Sequence, residues 1–136
     1  MSKKRIMVVD DEVYMLVAIE IVLQRNGFAP RCESNPAEAL RILREEGPFD
    51  LLITDVNMPE MSGVELVREL RAAGIAIPVI ASSSMMEEAV VQKFKKEGCD
   101  DFLEKPYLES ALIAKIVGVF ARRGETIVLP DENDLN

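Results

Sequence analysis

Two aspartates near the amino terminus, Asp10 and Asp11, a third at Asp55, three serines at 82–84 and a lysine at Lys105 carry the chemistry this chain could do. Each group follows a short apolar run: Ile6 to Val9, Leu51 to Ile53, Ile77 to Ala81, and Phe102-Leu103. Three carboxylates brought together repel one another and raise each other's pKa. A hard divalent cation resolves the repulsion. Mg²⁺ takes oxygen ligands and keeps several waters, so two or three carboxylates plus a carbonyl suit it. An acid cluster beside a lysine and a hydroxyl is a place for a phosphoryl group. A carboxylate can itself accept one, as an aspartyl-phosphate.

These residues meet only if the elements bring them to one place. Leu51-Leu52-Ile53 is a short, continuous apolar run of the kind buried on both faces of a parallel sheet. Pro59 forbids further pairing, and Ser62-Gly63-Val64-Glu65 has the form of a helix-opening capping box. Asp55 therefore falls at the carboxyl end of a strand, the edge where open α/β sheets bind ligands. The remaining elements repeat the pattern. A helical stretch from Val13 to Asn26 puts Val13, Leu16, Val17, Ile19 and Leu23 near one face. Phe28 to Cys32 reads as an edge strand because it contains Pro30. Asn35-Pro36-Ala37-Glu38 opens a second helix. The third runs from Val64 to Ala73, and Ile77 to Ala81 is the next strand. Ser84 to Glu87 is a second capping box, opening a fourth helix. A short strand at Asp101 to Leu103 precedes a last helix from Leu108 to Arg122. A glycine follows all five helices. Strand and helix alternate five times, which predicts a parallel sheet with helices on both faces. Four of the five carboxyl-side loops, the first, third, fourth and fifth, then deliver a reactive group to the same edge.

Composition bounds the rest. The 136 residues, almost half of them apolar, suffice for one domain with its own core. A formal charge of -8 argues against a general nucleic-acid surface. The absence of histidine removes imidazole as ligand or base. Cys32 and Cys99 have no metal-ligand spacing and read as ordinary thiols of a reducing compartment. No stretch reads as a signal peptide or a membrane span, so the expected location is cytoplasmic, without membrane contact. The domain is expected over residues 1–122, with 123–136 an acidic, mobile tail in which Ile127, Val128 and Leu129 could dock on the body.

In the order VVDDE, LLITDVNMPEMSG, PVIASSS and FLEKPY, these motifs resemble the response-regulator receiver domains, the family of the chemotaxis protein CheY. The resemblance spans about residues 4 to 122. It implies a flavodoxin-like, doubly wound five-stranded sheet of order 2-1-3-4-5 with five helices. It implies that Asp55 accepts the phosphoryl group and that Asp11, Asp10, Asp55 and the backbone carbonyl of Asn57 hold Mg²⁺. By the same likeness Lys105 pairs with the phosphoryl oxygens, the Ser83 hydroxyl follows the group, and Phe102 is the switch residue. The Lys105-Pro106 peptide is expected cis. The implied donor is a histidine kinase or histidine phosphotransfer protein. The implied output is a changed face of the fourth helix, fifth strand and fifth helix, read by a downstream protein or by a second copy in a phosphorylation-dependent homodimer. That is signalling rather than enzymatic turnover.

Blander readings compete at each position. Asp10 and Asp11 could cap the first helix, Ser83 could be an idle hydroxyl, Lys105 a solvated loop residue and Phe102 core-edge packing. Their conjunction outweighs these. An aspartyl-phosphate phosphohydrolase of the haloacid-dehalogenase type would need a second aspartate where Asn57 stands. A flavodoxin-type cofactor site would not present Asp10-Asp11-Glu12 to a phosphate. A receiver-like scaffold that binds partners without phosphorylation stays open. No output domain is recognisable after residue 122, so the chain reads as a stand-alone regulator or a piece of a longer one.

Overall fold

The computed structural model describes residues 3–131. Five strands and five helices alternate along the chain: β1 (Arg5–Val9), α1 (Val13–Arg25), β2 (Ala29–Glu33), α2 (Pro36–Glu45), β3 (Leu51–Asp55), α3 (Gly63–Ala72), β4 (Val79–Ser83), α4 (Glu88–Lys96), β5 (Asp101–Glu104) and α5 (Glu109–Arg122). All pairings are parallel, in the order β2-β1-β3-β4-β5. This is the flavodoxin-like, doubly wound sheet that the alternation and the resemblance predict.

Successive side chains of a strand point to opposite faces, so the apolar strands feed two cores. On one face Ile6, Val8, Ile53 and Ile80 pack against Leu16, Ile19 and Leu23 of α1 and against Leu112, Ile116 and Phe120 of α5. On the other, Met7, Leu52, Val79 and Ala81 meet Ile42 of α2, Leu66 and Leu70 of α3, and Phe94 of α4. β3 lies at the centre with all five residues buried. Fully burying each such aliphatic side chain contributes about 1.5–3 kcal/mol, which holds the Asp55 end of the strand in a fixed position.

Several local expectations hold. Asn35 caps α2 by accepting from the Glu38 N–H, with Pro36 in the first turn, and Ser62 caps α3 by accepting from the Glu65 N–H. The strand carrying Pro30 is a sheet edge. Gly27, Gly74, Gly98 and Gly124 end their helices with a left-handed φ. Gly47, at the same place after the α2 cap residue Glu46, does not; it precedes Pro48.

Others are corrected. Val13 and Val17 were expected on the buried face of α1 but are 62% and 54% exposed. Leu16, Ile19 and Leu23 take the inward stripe, and Val13, Val17 and Ile21 fall on the outward one. The helix is apolar nearly all round, so periodicity alone could not orient it. The box at Ser84 does not form: α4 begins at Glu88 with no side-chain cap. The Ser83 hydroxyl instead binds the backbone of Met85 and holds the chain in a turn. β4 starts at Val79 rather than Ile77, just beyond Pro78, and extends to Ser83. Ile127 packs against the α1/α5 core, Glu125 pairs with Lys4, and Val128 is exposed. The tail beyond residue 131 lies outside the described residues.

Candidate functional site

The carboxyl edge of the sheet gathers the expected groups. Asp55 ends β3 and Asp10 directly follows β1; they are only 9% and 6% exposed. Asp11, beside them, is exposed. One carboxylate oxygen from each of Asp10, Asp11 and Asp55 lies within 4.8 Å of the other two. Lys105, in the turn after β5, donates to Asp10 Oδ2 at 2.6 Å and stands 3.4 Å from Asp55 Oδ1. Its backbone N–H donates to the Ser83 carbonyl at 2.8 Å, and its peptide bond to Pro106 is cis.

The backbone aims Asp55. Its Oδ1 accepts from the Val56 N–H at 3.0 Å, while the same N–H reaches the Ser82 carbonyl at 3.0 Å across the sheet. The Gly63 N–H then donates to the Val56 carbonyl at 3.0 Å and closes the turn. Gly63 is needed for a reason its place in the capping box does not reveal. A Cβ there would stand 2.3 Å from the Asp55 carbonyl oxygen and 3.0 Å from the Phe94 ring. The first turn of α3 rests directly on the Asp55 backbone because residue 63 has no side chain.

Electrostatics follow from burial and pairing. Burial pushes the Asp55 carboxyl up to about 6; the Lys105 charge opposes this and the Asp10 charge adds to it. Burial alone would lower the Lys105 ammonium, but the hydrogen bond and charge of Asp10, with the charge of Asp55, hold it above its ordinary value. Asp10 is thus the nearer of the two acid partners of Lys105. It also accepts from the Glu12 N–H at 2.9 Å, fixing the entry to α1. When ionised, three carboxylates and one ammonium leave two formal negative charges in the pocket. That donor set, all hard oxygen, fits one divalent cation.

Other residues stand near but apart. Asn57 is exposed in the turn after β3. The Ser83 side chain is buried, its hydroxyl donating to the Met85 carbonyl and accepting from the Met85 N–H, turned to its own loop. Phe102 is half-buried and meets Phe94 edge to face, ring centroids 6.1 Å apart. Sequence reasoning placed Ser82 among the loop serines and singled out no role for Tyr107. The structure puts Ser82 inside β4, paired in register with Asp55, and lines one small cavity with both Ser82 and Tyr107. Only the β3–β4 register, which the sequence does not state, puts Ser82 beside Asp55.

Comparison with known proteins agrees with this geometry. The family model described as the response regulator receiver domain matches residues 6–117. The transcriptional regulatory protein PrrA of Mycobacterium tuberculosis is 34% identical over 133 residues, covering 96% of this chain and 56% of that protein. The chain therefore spans little more than half the length of that relative. The chemotaxis protein CheY of Bacillus subtilis is 32% identical over 113 residues, covering 82% of this chain and 93% of CheY. The structure of the Vibrio cholerae chemotaxis protein CheY4 superposes with a TM-score of 0.81 at 25% identity, covering 87% of this chain and 99% of that one. With its fold, its acid pocket and these relatives in agreement, the chain belongs to the response regulator receiver domains of two-component systems.

Proposed function

We propose that Asp55 is the phosphoryl acceptor and that a histidine kinase or histidine phosphotransfer protein is the donor. The observation that carries this is the setting of Asp55: a nearly buried carboxylate at a strand end, with an ammonium 3.4 Å away and two further carboxylates within 4.8 Å. No capping or packing role asks for that arrangement. The chain has no histidine, so the phosphohistidine must come from a partner. The face of α1 beside the pocket suits a docked partner, since Val13, Tyr14, Val17 and Ile21 are all exposed there.

Asp10, Asp11, Asp55 and the Asn57 carbonyl would hold Mg²⁺. Bound there, the ion would offset charge on the oxygens of the transferring group. The chain's own residues do the rest. An Asp55 oxygen attacks phosphorus, and the bond from phosphorus to the donor's nitrogen breaks with its electron pair leaving on that nitrogen. Lys105, held by Asp10, presents an ammonium to the phosphoryl oxygens. The phosphoryl group carries about 1.5 to 2 negative charges, in place of the single charge of the Asp55 carboxylate. That charge draws the Ser83 hydroxyl from its Met85 contact, and Phe102 repacks against the space it leaves. The face of α4, β5 and α5 shifts population between two packings. A downstream protein, or a second copy of the chain, reads the change.

The test is direct. Incubation with Mg²⁺ and a small phosphodonor such as acetyl phosphate, followed by intact mass measurement, should show one added phosphoryl group that is absent in Asp55→Asn. No mass gain, or a gain that persists in that variant, overturns the reading. No mass gain with a kinase that labels other receivers would favour the scaffold alternative.

A further inference from the structure

Ser82 is 3% exposed, and its hydroxyl has no hydrogen-bond partner among the described residues. Leaving a buried hydroxyl unpaired costs about 1–3 kcal/mol, so the position calls for a partner. Ser82 is also the register neighbour of Asp55 across β3 and β4. Both line a small cavity of about 10 Å³, whose lining also includes Asp10, Leu16, Ile19 and Ile53. That volume is about one water-sized sphere, and a buried water is typically held by about three polar groups. Both hydrogen-bond and ion-pair contacts of Asp55 fall on its Oδ1 atom, so the carboxylate has acceptor capacity to spare.

We infer that this cavity binds a single water, which accepts from the Ser82 hydroxyl and donates to the Asp10 and Asp55 carboxylates, making Ser82 a positioning residue for Asp55. The consequence rests on Asp55 being the phosphoryl acceptor, as proposed above. In hydrolysis of an aspartyl-phosphate, a solvent water attacks phosphorus from the outer side. The bond from phosphorus to the Asp55 oxygen breaks, its electron pair returns to the carboxylate, and both protons of the attacking water stay on the released phosphate. Negative charge thus develops on Asp55 as the group leaves. A donor fixed behind Asp55 binds that developing carboxylate more strongly than the neutral acyl oxygen, and so speeds loss of the group. The Ser82 water shortens the lifetime of the phosphorylated state.

Two substitutions separate the water from the hydroxyl. Ser82→Thr keeps the hydroxyl but fills the cavity with a methyl group. Ser82→Val fills it and removes the hydroxyl. Both are β-branched and suit a central strand, and thermal melts verify their folding. In the unphosphorylated wild-type chain, magnetisation transfer from a long-lived water to the Ser82 side chain should be seen by NMR, and it should vanish at residue 82 in Ser82→Thr. After labelling with acetyl phosphate and Mg²⁺ and removal of the donor, both variants should hold the phosphoryl group about three- to ten-fold longer than wild type, about 0.6 to 1.4 kcal/mol at 1.36 kcal/mol per decade. Absence of the water signal in wild type overturns the site, whether or not any variant folds. A wild-type lifetime in Ser82→Thr overturns the water's role and assigns the effect to the hydroxyl alone. If wild type takes no phosphoryl group, the lifetime claim falls with the acceptor reading, while the NMR result still decides the water site.

Discussion

The two edges of the sheet treat aspartate in opposite ways. At the amino-terminal edge, Asp50 precedes β3 and accepts from the Arg5 N–H at 2.7 Å. Asp100 precedes β5, accepts from the Val79 N–H at 3.0 Å and takes a two-pronged contact from Arg123 at 2.9 and 3.0 Å. Arginines complete the edge: Arg5 donates to the Glu46 and Pro48 carbonyls, and Arg71 to those of Ile75 and Ile77. Each acid there meets a strand-opening N–H, and Asp100 meets a full guanidinium as well. At the carboxyl-terminal edge Asp10 and Asp55 share one lysine, and Asp11 adds a third carboxylate beside them. The same residue type thus serves as a staple at one end and as an unbalanced charge at the other. The second arrangement gathers more negative charge than its one lysine offsets, which is the observation behind the function proposed above.

The largest expected contrast is chemical. Asp55→Asn should abolish phosphoryl uptake, whereas Asp100→Asn should label at close to the wild-type rate. Intact mass after exposure to Mg²⁺ and acetyl phosphate compares them directly. Labelling of Asp55→Asn, or loss of labelling in Asp100→Asn, would erase the distinction between the edges.

Lys105→Ala comes next. It removes the one cation among three acids, and by analogy with loss of an oxyanion donor the labelling rate should fall about 10²-fold. Arg71→Ala removes a cation from the opposite edge, so its labelling rate should stay within about two-fold of wild type while its stability falls by a hydrogen-bond-sized amount of about 1 kcal/mol. Initial rates from a mass time course, beside urea melts, would separate the two.

Much of the working edge was legible in the sequence because its residues follow apolar runs. Asp10, Asp11, Asp55 and Lys105 each lie at or just beyond the end of a strand that hydrophobicity alone marks, and parallel alternation sends all such ends to one side. The staples were harder to see. Asp50 and Asp100 look like ordinary loop acids, because their partners are backbone N–H groups of strands remote in sequence. The facing of α1 was hidden because Val13, Leu16, Val17, Ile19 and Ile21 are all apolar, and only the tertiary fit decides which ones turn inward. The start of α4 was misplaced because Ser83 captures the turn that Ser84 would have used. Gly63 looked like part of a cap, and only the packing of α3 on the Asp55 carbonyl shows its second duty. Strand order came from resemblance, since alternation is compatible with several orders.

Gly63→Ala tests whether the working edge depends on backbone as much as on charge. A Cβ 2.3 Å from the Asp55 carbonyl must displace α3 or the end of β3. The expected cost is about 3 kcal/mol, the upper end for overpacking, seen as a lower urea midpoint. Labelling should also slow, because Asp55 moves with its carbonyl. Gly74→Ala adds a methyl where nothing lies within 4 Å, so it should cost only the backbone strain of a left-handed residue, about 1 kcal/mol, and leave labelling alone.

The finest distinction concerns a staple by itself. Asp100→Ala strands the Val79 N–H and frees the Arg123 fork. A hydrogen bond to a charged group contributes about 1.5–3 kcal/mol, and the partial exposure of Arg123 argues for the lower figure. Asp100→Asn keeps an oxygen for Val79 and weakens only the Arg123 contact, so it should lose less than half as much. Urea denaturation of both variants, with labelling measured alongside, gives the answer. Two equal losses would mean that charge at this edge matters more than satisfaction of the strand N–H. A labelling defect in either would mean that the amino-terminal edge reaches the acid pocket through the sheet, and the two ends would then have to be treated as one coupled system.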